Sequence, residues 1–412
     1  MRFLFYSICT FLFSFSAFPA EFKVGSENQP YTSIQDALQQ CAPGDTVTVF
    51  PGVYRAGNIT IRQPIVFRGI NRPTLDGENK HEIISVKASN VVVEGFRIQH
   101  SGRATMEDPA GIKVYNGRNV IIRNNELDNT FFGIYIQYGL QCLIQDNVLT
   151  AYAVAEQEIG NGIHLWKCDS MQIIHNKIKG HRDGIYFEFV TNSVIWRNIS
   201  TENIRYGLHF MFSNNDSYIT NVFRNNGAGV AVMFTHGVKM YNNLFEENWG
   251  DAAYGLLLKE ISDSYVSGNR FSRNTTGIFM EGANRILMEK NVFEQNGWAL
   301  KIQASCMDNT LLHNNFISNT FDVGTNGSLV LNIFNSNYWD KYEGYDLNKD
   351  KVGDIPFRPV SLFSMIIEKI PPAMMLFRSF MTTLLDKTEK LIPSITPENL
   401  KDETPLMKPL PL

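Results

Sequence analysis

Apolar residues recur with two nested periods along the middle of the chain. An Asn-x-apolar unit appears as Asn125-Glu-Leu127, Asn147-Val-Leu149, Asn176-Lys-Ile178, Asn221-Val-Phe223, Asn243-Leu-Phe245, Asn269-Arg-Phe271, Asn291-Val-Phe293, Asn314-Asn-Phe316 and Asn337-Tyr-Trp339, with Asn198 in the same series. Its steps are 22, 29, 22, 23, 22, 26, 22, 23 and 23 residues. About eight residues after each Asn stands Gly-apolar-x-apolar, as in Gly133-Ile-Tyr-Ile136, Gly162-Ile-His-Leu165, Gly184-Ile-Tyr-Phe187, Gly207-Leu-His-Phe210, Gly229-Val-Ala-Val232, Gly255-Leu-Leu-Leu258 and Gly277-Ile-Phe-Met280. Period-2 alternation marks short half-buried strands. A 22-residue unit cannot bury its apolar face alone, so successive units must stack. The pattern predicts an all-β right-handed parallel β-helix of about 22–24 residues per coil, with a helical extension at its C-terminal end. Leucine-rich repeats share the period, but their Leu-x-x-Leu-x-Leu frame is missing here.

Stacked Asn side chains at one corner would form a hydrogen-bonded ladder along the axis. The two long steps carry insertions, Ala151–Gly160 and Gly250–Tyr254, which must leave the coil as loops. Tyr31 to Cys41 reads as a short helix with Ser33 as N-cap, covering the first coil and its open edge. The Asn series stops after Trp339. Residues 21–340 are therefore the solenoid with its cap, and 341–360 an Asp/Asn-rich loop and end cap. Residues 361–412 hold an amphipathic segment with a tail for partner docking. Within it Ala373–Lys390 reads as one helix with Phe377, Phe380, Met381, Leu384 and Leu385 on one face.

Composition narrows the function. The 412 residues carry 37 Lys+Arg against 41 Asp+Glu, a slightly acidic balance without a basic run, which excludes a typical nucleic-acid binder. The 39 Asn nearly equal all acidic residues together, as a chain with many turns of one type requires. Met1-Arg2 followed by the apolar run from Phe3 to Phe18 reads as a secretory signal over residues 1–20; an uncleaved anchor is the alternative. Outside it, Cys41, Cys142, Cys168 and Cys306 are scattered and read as buried small hydrophobes.

In the Gly-apolar-x-apolar strand the second and fourth residues face inward, so the third and fifth face out. The outward pairs run Tyr135/Gln137, His164/Trp166, Tyr186/Glu188, His209/Met211, Ala231/Met233, Leu257/Lys259 and Phe279/Glu281. Met211 and Met233 lie one regular coil apart, so they stack about 4.8 Å from each other. His209 lies about 7 Å along the strand from Met211, and His236 follows in the adjoining turn. Thioethers with imidazoles suit a soft metal, Cu(I) above all. The alternative is a protein-contact surface without metal. A second motif, Asp346-Leu-Asn348-Lys-Asp350-Lys-Val-Gly353-Asp354, places oxygen side chains as in the start of a calcium loop, though Lys351 replaces the usual Gly and no bidentate Glu follows. An Asx-bonded turn is the alternative there. Sugar cleavage, common among β-helices, needs carboxyls within about 10 Å. The outward Glu188 and Glu281 are four coils apart, about 19 Å.

The runs Asp183-Gly-Ile-Tyr-Phe-Glu-Phe189, Arg205-Tyr-Gly-Leu-His-Phe-Met-Phe212, Gly227-Ala-Gly-Val-Ala-Val-Met-Phe234, Ala253-Tyr-Gly-Leu-Leu-Leu-Lys-Glu260 and Asn337-Tyr-Trp-Asp-Lys-Tyr-Glu-Gly-Tyr-Asp346 resemble the NosD family of periplasmic nitrous oxide reductase maturation proteins. Arg358-Pro-Val-Ser-Leu-Phe-Ser364 and Phe377-Arg-Ser-Phe380 extend the likeness. The resemblance implies a periplasmic, non-enzymatic accessory protein. It implies partnership with an ABC transporter, through its membrane subunit and the ATPase beneath. It also implies copper arriving from a lipoprotein chaperone and passing to apo nitrous oxide reductase, whose copper-sulfide centre is built. On that reading the C-terminal helix docks onto the membrane subunit. No ligand set is carried over, so His209, Met211, Met233 and His236 rest on the residues alone.

Overall fold

The computed structural model describes residues 19–25, 28–103, 108–327, 331–391, 396 and 400–412; the proposed signal falls almost wholly outside them. The chain winds into a parallel β-solenoid of three sheets with 14, 12 and 13 strands. Every strand pairs parallel with those one coil away, in unbroken register through the middle coils.

The Asn ladder explains why the coils superpose. The Asn147 side chain accepts from the backbone N–H of Asn125 at 3.0 Å, and the same relation runs through Asn176, Asn198, Asn221, Asn243, Asn269, Asn291, Asn314 and Asn337. Each side-chain amide also donates to a carbonyl of the preceding coil, as Asn269 does to Met240 at 2.9 Å. A second ladder links Asn203, Asn226, Asn248, Asn274, Asn296 and Asn319. The residue two places after each Asn fills the interior; it is apolar in every rung but that of Asn198, where Ser200 stands. Phe223, Phe245, Phe271, Phe293, Phe316 and Trp339 stack with ring centroids 5.5, 4.6, 4.9, 4.8 and 4.0 Å apart.

The caps agree in part with the sequence reading. Helix α1 (Ile34–Gln40) starts at Ser33, whose hydroxyl accepts the Asp36 N–H at 3.3 Å, and buries Ile34 and Ala37 on the first coil. All four cysteines outside the signal are free and buried. The C-terminal segment differs from the single helix expected. Helix α2 (Leu362–Lys369) comes first and lays Phe363 and Ile367 on Trp298 and Phe321. A 3-10 stretch (Pro371–Leu376) follows, because the Pro pair cannot continue a helix, and then helix α3 (Phe380–Leu391). Leu385 packs inward on the α2 cluster, while Phe380, Met381 and Leu384 stay exposed, so the five residues do not share one face.

The tail returns to the solenoid instead of leaving it. The Asp402 carboxylate takes the next rung after Asn337. It accepts the Asn337 N–H at 2.9 Å, the Asn337 side-chain amide at 3.0 Å, the Ser336 N–H at 3.0 Å and the Trp339 indole N–H at 3.1 Å. The end cap therefore includes 400–412 as well as 341–360, because an open last rung would leave buried donors without acceptors.

Candidate functional site

The 12-stranded sheet carries the outward residues singled out above. Inward Leu208, Phe210, Val230 and Val232 are fully buried, so His209/Met211 and Ala231/Met233 do face outward. Met211 and Met233 are register partners on neighbouring strands, flanked by Glu188 on one side and Lys259 on the other. Lys259 is engaged with Glu281 at 3.3 Å. Both methionines are half-buried.

His209 is outward but covered, with only 8% of its surface exposed. Its ring sits against Tyr186 and Tyr206, with centroids 4.9 and 4.7 Å away. Nδ1 lies 3.5 Å from Asp183 Oδ2, and Nε2 is buried without a partner. Asp183 is fully buried and held by Arg205 through two bonds, Nε to Oδ1 at 3.0 Å and a second nitrogen to Oδ2 at 2.6 Å. Burial alone would raise the Asp183 pKa. Hydrogen bonds from His209 and Arg205, with the charge of Arg205, outweigh it and hold the carboxyl below the usual range. The insertion Ala151–Gly160 comes back over this face, bringing Glu156 to 3.9 Å from Arg205.

His236 lies apart from this group. It stands beyond the left-handed corner at Phe234, is exposed, and its backbone N–H is tied to Asn214 Oδ1 at 2.9 Å. The structure thus brings Met211 and Met233 together, sets His209 beside them against Asp183, and leaves His236 on the next corner. No group of three or more His, Cys, Asp or Glu among the described residues is placed to hold a metal.

One feature of this face escaped the sequence reading. Phe189, Phe212 and Phe234 occupy the same corner of three successive coils with φ of 54°, 50° and 56°. Left-handed backbone costs a residue with a Cβ roughly 1–2 kcal/mol. Their rings nevertheless stack at 5.2 Å per step and remain about two-fifths exposed, forming an aromatic rim beside the methionines. The signal was present in the sequence as Phe five places after the strand Gly in three consecutive coils.

The acidic loop is held by its own backbone. Asp346 accepts the Asp350 and Lys351 N–H groups at 3.2 and 2.9 Å, Asn348 accepts Asp350 N–H at 3.0 Å, Asp350 accepts Val352 N–H at 2.8 Å, and Asp354 accepts Leu347 N–H at 2.6 Å. These bonds account for the loop's shape without a calcium ion. The outward Glu188 and Glu281 remain four strands apart, and Glu281 is paired with Lys259.

These features define a solenoid scaffold that carries a thioether pair on an open flank. Solved structures with the same winding include the A-module of the mannuronan C-5 epimerase AlgE6 of Azotobacter vinelandii (15% identical, TM-score 0.53, covering 74% of this chain and 87% of that one). The catalytic unit of a GH87 α-1,3-glucanase of Streptomyces thermodiastaticus is a second (11% identical, TM-score 0.57, covering 74% and 65%). At these identities the likeness is one of fold. Residues 150–348 match the family model described as periplasmic copper-binding protein (NosD), and residues 53–155 match that of a right-handed β-helix region. Two curated relatives are each named "Probable ABC transporter binding protein NosD". That of Stutzerimonas stutzeri is 28% identical over 372 residues, covering 85% of this chain and 84% of the relative. That of Pseudomonas aeruginosa is 28% identical over 394 residues, covering 90% and 91%. In both comparisons the chain is similar to the NosD family.

Proposed function

We propose that this chain is a periplasmic accessory protein that holds Cu(I) as cargo on the flank of its solenoid. It works beside an ABC transporter. It receives the ion from a copper chaperone lipoprotein and passes it to apo nitrous oxide reductase for assembly of the copper-sulfide centre. The observation that carries this reading is the register pairing of Met211 with Met233, with His209, whose Nε2 is unpartnered, two residues before Met211 on the same strand. Two thioethers and one imidazole form a soft set with affinity for Cu(I), and three neutral donors leave the ion exchangeable. The family description and the relatives' names support the copper and transporter parts. The aromatic rim and half-buried methionines suit transfer by docking, since a handed-over ion needs a contact face around it. The exposed Phe380, Met381 and Leu384 of α3 are assigned to the transporter's membrane subunit.

Titration of the purified protein with Cu(I) against a chromophoric competitor tests the cargo site. One ion per chain is expected, with Met211→Ala/Met233→Ala weakening binding at least about tenfold, or about 1.4 kcal/mol. Unchanged affinity in the double variant would move copper elsewhere. Phe380→Ser/Leu384→Ser is expected to abolish co-purification with the membrane subunit at unchanged melting temperature; retained co-purification would refute that assignment.

A further inference from the structure

Two histidines stand in the same outward column of the 12-stranded sheet, two coils apart, with Tyr186 between them: His164 pairs in register with Tyr186, and Tyr186 with His209. Both have an Nε2 that is buried and unpartnered. Their neighbours nevertheless treat them in opposite ways. At His209, Nδ1 faces Asp183, a buried carboxylate already clamped by Arg205 through both oxygens. An ionised carboxylate can only accept, so Nδ1 carries a proton, which in the neutral ring leaves the lone pair on Nε2. At His164, Nδ1 lies 3.2 Å from Nδ2 of Asn161. The orientation of that amide is fixed from its other side, because Arg182 donates to Asn161 Oδ1 at 3.3 Å. Asn161 Nδ2 therefore donates, His164 Nδ1 accepts, and the His164 proton sits on Nε2.

We infer that the Arg205–Asp183 pair and the Arg182–Asn161 pair lock these two imidazoles into opposite tautomers, so that His209 is made the metal-ligating histidine of this face and His164 is excluded. Asp183 is then the positioning residue for the cargo site. The two nitrogens of an imidazole point to nearly opposite sides of the ring. Anchoring Nδ1 on a carboxylate one coil back, level with the strand start at Tyr206, turns Nε2 away from that carboxylate. A carboxylate behind a ligating imidazole also raises its basicity and fixes its orientation. His164 has no such backing, and its aromatic cage of Phe132, Tyr135 and Tyr186, with centroids 5.4, 4.3 and 4.8 Å away, suits a neutral ring. Burial pushes its pKa down to about 3, so it remains neutral in any periplasmic condition. The metal role of His209 rests on the copper reading above; the tautomer assignment does not.

The experiment has two arms. Long-range 1H–15N correlation spectra of the metal-free, histidine-labelled full chain, assigned with His164→Gln and His209→Gln, read the tautomers directly. Nδ1–H is expected at His209 and Nε2–H at His164; a proton on Nε2 of His209 overturns the inference. In the second arm Cu(I) is titrated into Asp183→Asn, whose side chain can turn to donate to Nδ1. Affinity is expected to fall about 10- to 100-fold with stoichiometry unchanged, while His164→Gln binds as the wild type does. Wild-type affinity in folded Asp183→Asn also overturns the inference. If the tautomers are as expected but the wild-type chain takes up no Cu(I), the copper reading fails, and with it the ligating role of His209, while the tautomer lock stands.

Discussion

Replacing Asn269 by alanine is expected to destabilise the folded protein by about 4 kcal/mol, read as a drop in the urea midpoint. The Asn269 carbonyl accepts from the Asn243 backbone N–H and from the Asn243 side chain, both at 2.9 Å. Its amide donates to Met240, Ser267 and Asn291 at 2.9, 3.1 and 3.1 Å. Asn269 lies at zero exposure, and its bonds to Asn243, Met240 and Asn291 are buried, so water cannot replace them without opening the coil. Alanine would orphan the Asn243 backbone N–H, worth roughly 1–3 kcal/mol when buried and unpaired, and take a donor from the Met240 carbonyl. It would also break the rung through which Asn243 and Asn291 are aligned. Coils contact only their neighbours, so hydrogen exchange should quicken first in the coils on either side. A loss under about 1 kcal/mol would mean that strand pairing, not the ladder, sets the superposition of coils.

The second large effect is a stabilisation. Asp216 is fully buried; its Oδ1 accepts the Ser193 N–H at 2.7 Å and its Oδ2 has no partner. Burial, only partly offset by the Ser193 bond, pushes its pKa up to about 8. The folded protein therefore holds this proton where the unfolded chain has lost it. The contribution is fully present below the unfolded carboxyl pKa, near 4, and falls by about 1.4 kcal/mol per pH unit as pH rises toward 8. Asp216→Asn removes the titration. Asn309 shows that the side chain fits: in the same column it accepts the Ile286 N–H at 2.9 Å and donates to Ala283 O at 2.8 Å. Asp216→Asn is expected to match the wild type near pH 4 and to exceed it by about 5 kcal/mol at pH 8. Melting curves at both pH values check this. An advantage independent of pH would show that Asp216 is not the titrating group.

The solenoid was legible because its stabilising unit is periodic. Each Asn sets the register of the next, so spacing alone predicts which side chains stack, and Met211 over Met233 followed from arithmetic. Features that depend on distant or aperiodic pairing were not legible. Asp402 acts as the last rung across 65 residues of chain and has no Asn to mark it. His209 reads as an exposed ligand until Tyr206, Asp183 and Arg205 are seen to enclose it, since alternation fixes which face a side chain leaves but not what then covers it. His236 follows Met233 by three residues, yet the left-handed turn at Phe234 carries it round the corner. Leu385 has the helical spacing of Phe380 and Leu384, and only the docking of α2 on Trp298 and Phe321 decides that it turns inward.

The most direct test of the cargo site is X-ray absorption at the copper edge of the one-to-one Cu(I) complex. The account predicts two sulfur scatterers and one imidazole nitrogen, with both sulfurs lost in Met211→Ala/Met233→Ala and the nitrogen lost in His209→Gln. A copper shell that keeps its sulfur in the double methionine variant would contradict it.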